Sequence, residues 1–427
     1  MDRHCKTYDT YAAILKRELV CAMGCTEPIA IAYCAAVARA ALGALPERIT
    51  VLASGNMIKN AKSVVVPNTD GRKGIPVAAA LGVLAGDENA GLQVVAEVTP
   101  EQKKQLAAYL DTTPIKTESM AAGHMLDITV NVWAGEHSAR CHIVDEHTNV
   151  VLVEKDGVVL EKKELTQDDG LDADAPDYTL LTVEGICDFA DTCDLADVAE
   201  TLERQIACNK AIAMEGLKND YGANIGKVLL AVNPDNVRTR AKAWAAAGSD
   251  ARMNGCEMPV VICSGSGNQG MTTSLPVIAY AEELGVSHEK LLRSLLVSNL
   301  ITIHEKTGIG RLSAYCGAVS AGAGAGCGIA YLQGGGVEAV SATIVNALAV
   351  TSGMVCDGAK SSCAGKIAAA VEAGMFGYEM YCNGNQYRGG DGLVREDVES
   401  SIANFGRLGR LGMKETDVEI IKMMTEE

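Results

Sequence analysis

Aromatic side chains are scarce in this chain: three Phe, two Trp and 12 Tyr among 427 residues. Cores built on large rings, such as aromatic-rich sandwiches, are thereby excluded. Positive charge is also short, with 37 Lys and Arg against 54 Asp and Glu and a formal charge of −17. No basic stripe is available for nucleic-acid phosphates or an anionic membrane surface. The opening MDRHCKTYDTYAAILKREL is polar and carries no apolar signal core, so nothing in it directs export. The fifteen cysteines are odd in number and irregularly spaced, which does not fit a disulfide framework. A reducing cytoplasm is the expected compartment. Residues 312–337 carry no charge, but their many glycines and serines fit a buried segment of a soluble protein better than a membrane span.

What the chain has instead is glycine, 44 residues of it, and a wealth of alanine. Such a composition suits helices packed by close backbone approach. Apolar spacing predicts helices over Tyr8–Val20 and Pro28–Leu42, with the tight turn Met-Gly-Cys-Thr-Glu-Pro between them. Strands are predicted at Ile49–Ala53, Val64–Val66 and Gln93–Val98, and helices at Pro76–Leu84 and Pro100–Leu110. From Asp127 to Leu160 the period changes to two, which predicts antiparallel strands with turns at Ala134-Gly135-Glu136 and Asp156-Gly157. Residues 162–178 are acidic and read as a solvated linker. Beyond Leu195 the chain reads as almost wholly helical. The predicted class is α+β: an N-terminal part, 1–195, with antiparallel strands, and a mainly helical part, 196–427.

Cysteine carries the strongest chemical signal. Cys356 and Cys363 lie in Met-Val-Cys-Asp-Gly-Ala-Lys-Ser-Ser-Cys-Ala-Gly-Lys, and Cys316 lies forty residues upstream in a Gly/Ala run. Thiols in nearly uncharged, glycine-rich surroundings suggest a soft-metal site, most plausibly an iron–sulfur cluster. Three ligands rather than four leave one iron open to substrate. A straight helix separates Cys356 and Cys363 by about 10.5 Å along its axis, so the segment is expected to bend, with Gly358 supplying the means. The competing reading is buried structural cysteine on one helical face. Cys327, in Ala-Gly-Cys-Gly, reads as helix packing.

Cys25 stands at a predicted helix N-terminus beside Thr26 and Glu27, where the macrodipole lowers a thiol pKa. It could be a ligand, a base or a nucleophile. Two polar runs suit the carboxylate or ammonium of an amino acid: Ser54-Gly55-Asn56 with Lys59 and Asn60, and Ser264-Gly265-Ser266-Gly267-Asn268-Gln269-Gly270 before a helix predicted from Thr273. The second run lacks the ending of a P-loop and the βαβ setting of a dinucleotide fingerprint. His304 ends a predicted helix, where a cap and a substrate contact are both possible.

Taken together, Gly-Cys-Thr-Glu-Pro at 24–28, Ser-Gly-Asn-Met-Ile-Lys-Asn at 54–60, Val-Pro-Asn-Thr-Asp-Gly at 66–71, Ser-Gly-Ser-Gly-Asn-Gln-Gly at 264–270 and Cys-Asp-Gly-Ala-Lys with the next Cys at 356–363 resemble the L-cysteine desulfidase family. That family is a serine-dehydratase-like group of cytoplasmic bacterial and archaeal proteins. The C-terminal half is more loosely similar to iron–sulfur L-serine dehydratases and their alpha-chain fold. The resemblance implies an oxygen-sensitive [4Fe–4S] enzyme that converts L-cysteine to pyruvate, ammonia and hydrogen sulfide, with L-serine as the alternative substrate. It implies Cys316, Cys356 and Cys363 as cluster ligands and Cys25 as base. Substrate contacts are then expected from Thr26, Glu27, Ser54, Asn56, Lys59, Ser264, Ser266, Asn268 and His304. In the serine dehydratases the two late cysteines lie further apart than here, and Cys25 in place of Cys363 is the competing ligand assignment. A small amino-acid substrate and a homo-oligomer, dimeric, complete the expectation, with no nucleic-acid or membrane partner. The rival classes are a pyridoxal-phosphate lyase, in which the cysteines only pack, and a non-catalytic iron–sulfur sensor.

Overall fold

The computed structural model describes residues 1–120, 123–163 and 175–425. Most of the acidic stretch predicted as a linker, residues 164–174, therefore lies outside the described residues. The N-terminal part runs α1 (Lys6–Glu18), β1 (Cys21–Met23), α2 (Thr26–Leu42), β2 (Arg48–Ala53), α3 (Gly55–Ala61), α4 (Ile75–Ala85) and α5 (Pro100–Thr112). It continues through β3 (Ile115–Ser119), β4 (Asp127–Ala134), β5 (His137–Val144), β6 (Val150–Lys155) and β7 (Val158–Lys162). Strands β2 to β7 form one sheet in the order β3-β2-β4-β5-β6-β7, in which only the β2–β3 pair is parallel.

Alternation places Ile128, Val130 and Val132 of β4 and Ala139, Cys141 and Ile143 of β5 in the core. Helix α2 lies across β4, β5 and β6, and α4 packs on α2. The Cys34 thiol of α2 reaches the Cys141 carbonyl at 3.3 Å, the packing role expected of a small apolar residue.

The remainder is helical: α6 (Val183–Thr192), α7 (Ala199–Lys218), α8 (Ile225–Val232), α9 (Val237–Met253), then the short β8 (Pro259–Val261). There follow α10 (Gly267–Leu284), α11 (His288–Thr307), α12 (Gly317–Leu332), α13 (Val337–Thr351), α14 (Cys363–Cys382), α15 (Val398–Arg407) and α16 (Lys414–Thr425). Helix α12 is the hub, buried from Ala318 to Leu332 and packed by α10, α11, α13 and α14. It holds residues 318–332 of the charge-free run in the buried setting predicted, whereas residues 333, 334, 336 and 337 at the end of that run are exposed. No described helix is long and apolar enough to cross a membrane.

The two parts are tied at β1, which pairs antiparallel with β8 so that Cys21 faces Val261, and at α16, which packs on α3.

Several local expectations change. The predicted strand Gln93–Val98 is a 3₁₀ turn over Gly91–Gln93 followed by further turns. The carbonyls of Val94 and Val95 accept from Asp87 N–H and Asn68 Nδ2 instead of from a neighbouring strand. The predicted strand at Val64–Val66 is reduced to a single bridge between Val65 and Lys73. Helix α10 starts at Gly267, not Thr273, so Asn268 and Gln269 stand in its first turn. Strands β1, β3 and β7 and helices α3, α6, α8, α12 and α16 were not predicted individually.

Candidate functional site

Three thiols are gathered by backbone. Tyr315 and Val355 form an isolated antiparallel bridge. Around it the Cys316 N–H donates to the Met354 carbonyl at 3.1 Å and the Cys356 N–H to the Ala314 carbonyl at 2.6 Å. Cys316 and Cys356 are thereby held close together, diagonally across the bridge. Cys316 caps α12 and Cys363 is the first residue of α14.

Those two helices touch at glycine. A Cβ on Gly322 would lie 2.4 Å from the Ala370 carbonyl, and one on Gly326 would lie 2.4 Å from the Gly374 carbonyl. Each contact is one turn further along both helices, so α12 and α14 run parallel with their N-termini level. That register sets Cys316 beside the Cys363 end of α14. Between Cys356 and Cys363 the chain is not helical, and Gly358 makes the predicted bend with φ +90°. A Cβ there would lie 2.4 Å from the Lys59 carbonyl, so glycine is also needed for α3 to approach.

The thiols sense one another. Burial, then the charge of Cys356, pushes Cys316 up to about 12, and Cys363 is raised by burial with a smaller push from Cys356. Three cations surround them. Lys306 of α11 is 5 % exposed, and burial pulls it down to about 8 against the opposing pull of Cys356 and Cys316. Lys366 donates to the Val355 carbonyl at 2.8 Å and pairs with Asp357. Lys360 also pairs with Asp357, at 2.9 Å.

Among the described residues no group of three His, Cys, Asp or Glu side chains is arranged to grip a single metal ion. A cubane asks for something different: thiols spread around a volume, deprotonated and offset by nearby cations. The donor set Cys316, Cys356 and Cys363, with Lys306, Lys360 and Lys366 about it, has that chemistry and fits such a group.

Cys25 faces the same place from the other part. It is buried with Val64 and Met253, and Ala359 and Cys363 pack against that group. Gly24, at φ +69°, turns the chain out of β1, and Cys25 then caps α2. The thiol donates to Glu27 Oε2 at 3.0 Å, which also accepts from Thr26 Oγ1 at 3.1 Å, while Glu27 Oε1 accepts from Asn60 at 3.3 Å. The macrodipole argument predicts a lowered thiol pKa, but here it is raised well above the ordinary value. Complete burial is the main cause and the Glu27 charge adds to it, both outweighing the opposing pull of Arg252.

Thr26 also donates to the Gly265 carbonyl at 3.0 Å, which brings the Ser264–Ser266 turn against α2. Ser264 takes a positive φ, and Cys263 and Ser266 bridge across the turn. Behind it lies Arg252, the penultimate residue of α9, which is 2 % exposed. Its Nε donates to the Gly24 carbonyl at 3.0 Å and its Nη1 to Asn268 Oδ1 at 3.1 Å. Its Nη2 has no partner among the described residues. The same is true of Asn56 Oδ1, Gln269 Oε1 and His147 Nε2. His147 is held neutral, pulled down to about 4 by burial. Gln269 abuts Gly317, where a Cβ would lie 2.7 Å from its amide, so this polar group reaches the residue next to Cys316.

Of the residues predicted from sequence, Cys25, Thr26, Glu27, Asn268 and the three later cysteines converge, and the Ser264–Ser266 turn adjoins them. Asn56 stands on α3 one turn before Asn60. Ser54 caps α3, accepting from the Met57 N–H at 3.4 Å and donating to the Met125 carbonyl at 2.6 Å. Lys59 is engaged: it pairs with buried Asp417 of α16 at 2.6 Å and donates to the Cys356 carbonyl at 3.4 Å. His304 is bonded to Glu399 of α15 at 2.7 Å. Lys306, Arg252 and His147 were not singled out from sequence. For Lys306 and Arg252 the available signal was a cation at the end of an apolar or alanine-rich stretch, in Leu-Ile-Thr-Ile-His-Glu-Lys and in Ala-Ala-Ala-Gly-Ser-Asp-Ala-Arg.

The family described as serine dehydratase alpha chain matches residues 89–422. Similar over the full length are a UPF0597 protein of Desulfitobacterium hafniense, 54% identical with 100% of this chain and 99% of the relative covered, and one of Lachnoclostridium phytofermentans, 51% identical with 98% and 99% covered. A UPF0597 protein of Treponema denticola is 44% identical, with 98% of each chain covered. These relatives carry no activity in their names.

Proposed function

The chain belongs to the serine dehydratase alpha-chain family, and on that premise we propose that it is a lyase dependent on a [4Fe–4S] cluster that eliminates sulfide from L-cysteine, giving pyruvate, ammonia and hydrogen sulfide. The observation that carries this reading is the convergence of Cys316, Cys356 and Cys363 on one place that Cys25 also faces. Dehydration of L-serine by the same groups is the alternative reading.

Cys316, Cys356 and Cys363 would hold the cluster, which when bound would supply a Lewis acid for an elimination without redox change. Lys306, Lys360 and Lys366 offset the negative charge of the three thiolates. Cys25 is the base for the Cα proton. In the resting site its proton sits on Sγ and points at Glu27 Oε2, 3.0 Å away. Glu27 must therefore accept that proton before Cys25 can take one from substrate. Loss of the Cα proton and of the Cβ–S bond leaves aminoacrylate, which water converts to pyruvate and ammonia. Burial of Cys25, and of Glu27 in its bonds to Thr26 and Asn60, keeps bulk water from competing for the proton. Free thiols throughout suit a reducing cytoplasm, and a homodimer is the assembly we propose.

Anaerobic purification with iron and sulfide quantitation, followed by pyruvate release from L-cysteine and L-serine, tests the reading. Cys356→Ala is expected to remove both colour and turnover. Cys25→Ala should keep the colour and lose turnover; loss of colour there makes Cys25 a ligand. Iron-free protein that still releases pyruvate sinks the proposal.

A further inference from the structure

Arg252 raises a question that the cluster chemistry does not answer. A guanidinium is always charged and carries five N–H donors with no acceptor. Buried to 98 %, it is expected to spend every donor or to face an anion, since an unmade buried bond costs about 1–3 kcal/mol. Here Nε and Nη1 are spent on Gly24 O and Asn268 Oδ1, and Nη2 is left without a partner. No carboxylate of this chain forms an ion pair with it among the described residues.

Its surroundings are shaped for it. A Cβ on Gly267 would lie 2.4 Å from Arg252 Nε, so glycine at the start of α10 leaves the room that the side chain occupies. The guanidinium charge acts on Cys25 and on His147, which places it at the polar side of the site. Gln269 follows Asn268 in the first turn of α10, and Asn56 stands one turn before Asn60 on α3; each has an oxygen without a partner among the described residues. Glu27, the buried anion, stands across Cys25. Lys59, the cation that the sequence offered for this task, is committed to Asp417.

We propose that Arg252 is the carboxylate-binding residue of the site, so that the α-carboxylate of an amino acid is read by Arg252 Nη2, with its Cα beside Cys25. The inference rests on the amino-acid lyase reading above and names the substrate feature that the site requires: a free α-carboxylate.

The experiment compares L-cysteine with L-cysteine methyl ester, which keeps the amine and thiol and loses the anion. Wild-type enzyme, prepared anaerobically with its metal, should prefer the free acid by on the order of 10²-fold in kcat/KM, the scale of one buried charge partner. In Arg252→Gln the free acid should lose about that factor, chiefly through KM, while the ester keeps its rate. Equal loss for both substrates makes Arg252 a scaffold for the Gly24 turn and overturns the inference; an unchanged preference overturns it too. Calorimetry with L-alanine and L-alaninamide, neither of which has a leaving group, reads the same preference without turnover. If L-alanine binds through Arg252 but neither L-cysteine nor L-serine is turned over by the metal-loaded enzyme, the lyase reading fails and the carboxylate site stands. Should Arg252→Gln not fold, Arg252→Lys replaces the fork by a point charge. About a tenfold drop in preference is then expected, and an undiminished preference counts against the proposal.

Discussion

The sheet of the N-terminal part and the α12–α14 layer of the C-terminal part are both buried and both poor in aromatics, yet they make a core in opposite ways. Along β4 and β5, apolar side chains, all of them branched on β4, alternate inward and fill space between sheet and α2. Along α12 nothing alternates; alanine and glycine are buried all round, and the partners of Gly322 and Gly326 are backbone carbonyls. One core is made by filling and the other by closeness. Only the second sets the distance between functional groups, because Cys316 and Cys363 head the two helices that glycine brings together.

A paired substitution breaks or sharpens this contrast and carries the largest expected effect. A Cβ at position 374 falls 2.0 Å from the Gly322 carbonyl, which is backbone and cannot turn aside. Gly374→Val therefore forces α14 off α12 and is expected to cost about 3 kcal/mol or more. Ile143→Ala leaves a cavity under α2 at about 2–5 kcal/mol. Denaturant unfolding should show both as destabilised, but iron content should fall only in Gly374→Val, because only there do the two thiol-bearing helix starts part. Equal iron in both variants would mean that the helix contact does not set the thiol spacing.

The same contrast explains what the sequence showed. Alternation is a local code, so the β4–β6 strands and their turns could be placed from residues 127–160 alone. The N-terminal helices α1, α2, α4 and α5 were placed to within two residues at either end. Edge strands β3 and β7 were missed because Ile115–Ser119 is mostly polar and Val158–Lys162 is fully exposed, so neither has a buried face to pattern. Val94 and Val95 read as a strand because they are buried, but their carbonyls are taken by Asn68 and by the Asp87 N–H. In the site, cysteines and glycine loops stood out because they lie in short runs of unusual composition. Lys306 and Arg252 did not, since a cation in a helix signals nothing until the fold shows that it is buried.

Lys306 gives the next prediction, on the side where closeness rules. Its folded pKa is lowered from the ordinary 10.5 to about 8, burial being the cause. Between pH 8 and 10.5 the unfolded chain therefore holds the extra proton, and the folded state gains stability as pH rises through that window. Below about pH 8 the buried charge is a cost, bounded at about 3 kcal/mol by the size of the depression. Iron-free Lys306→Met should accordingly be more stable than wild type at pH 7, with the advantage shrinking as the pH approaches 10.5. Turnover of the metal-loaded variant should nevertheless fall, because the thiolates lose a counter-charge. A variant less stable at every pH would show that the ammonium has a partner and is not held there for the thiols.

His304 supplies the smallest effect and tests where the site ends. It precedes Lys306 by two residues on α11, so the two side chains point about 200° apart around the helix. Lys306 looks toward Cys316 and Cys356; His304 looks away, bonded to Glu399 of α15, which in turn accepts the Val183 N–H at the start of α6. The arrangement joins three helices at a partly exposed hydrogen bond, the kind worth about 1 kcal/mol. His304→Ala should lower stability by no more than that and leave kcat/KM for L-cysteine within about twofold. A tenfold loss of turnover with iron content unchanged would require His304 to reach the substrate after all, which the helix can supply only by rotating Lys306 away from the thiols. The two variants therefore make a cross-check on whether one face of α11 serves the thiols while the face bearing His304 serves the packing of α6 and α15.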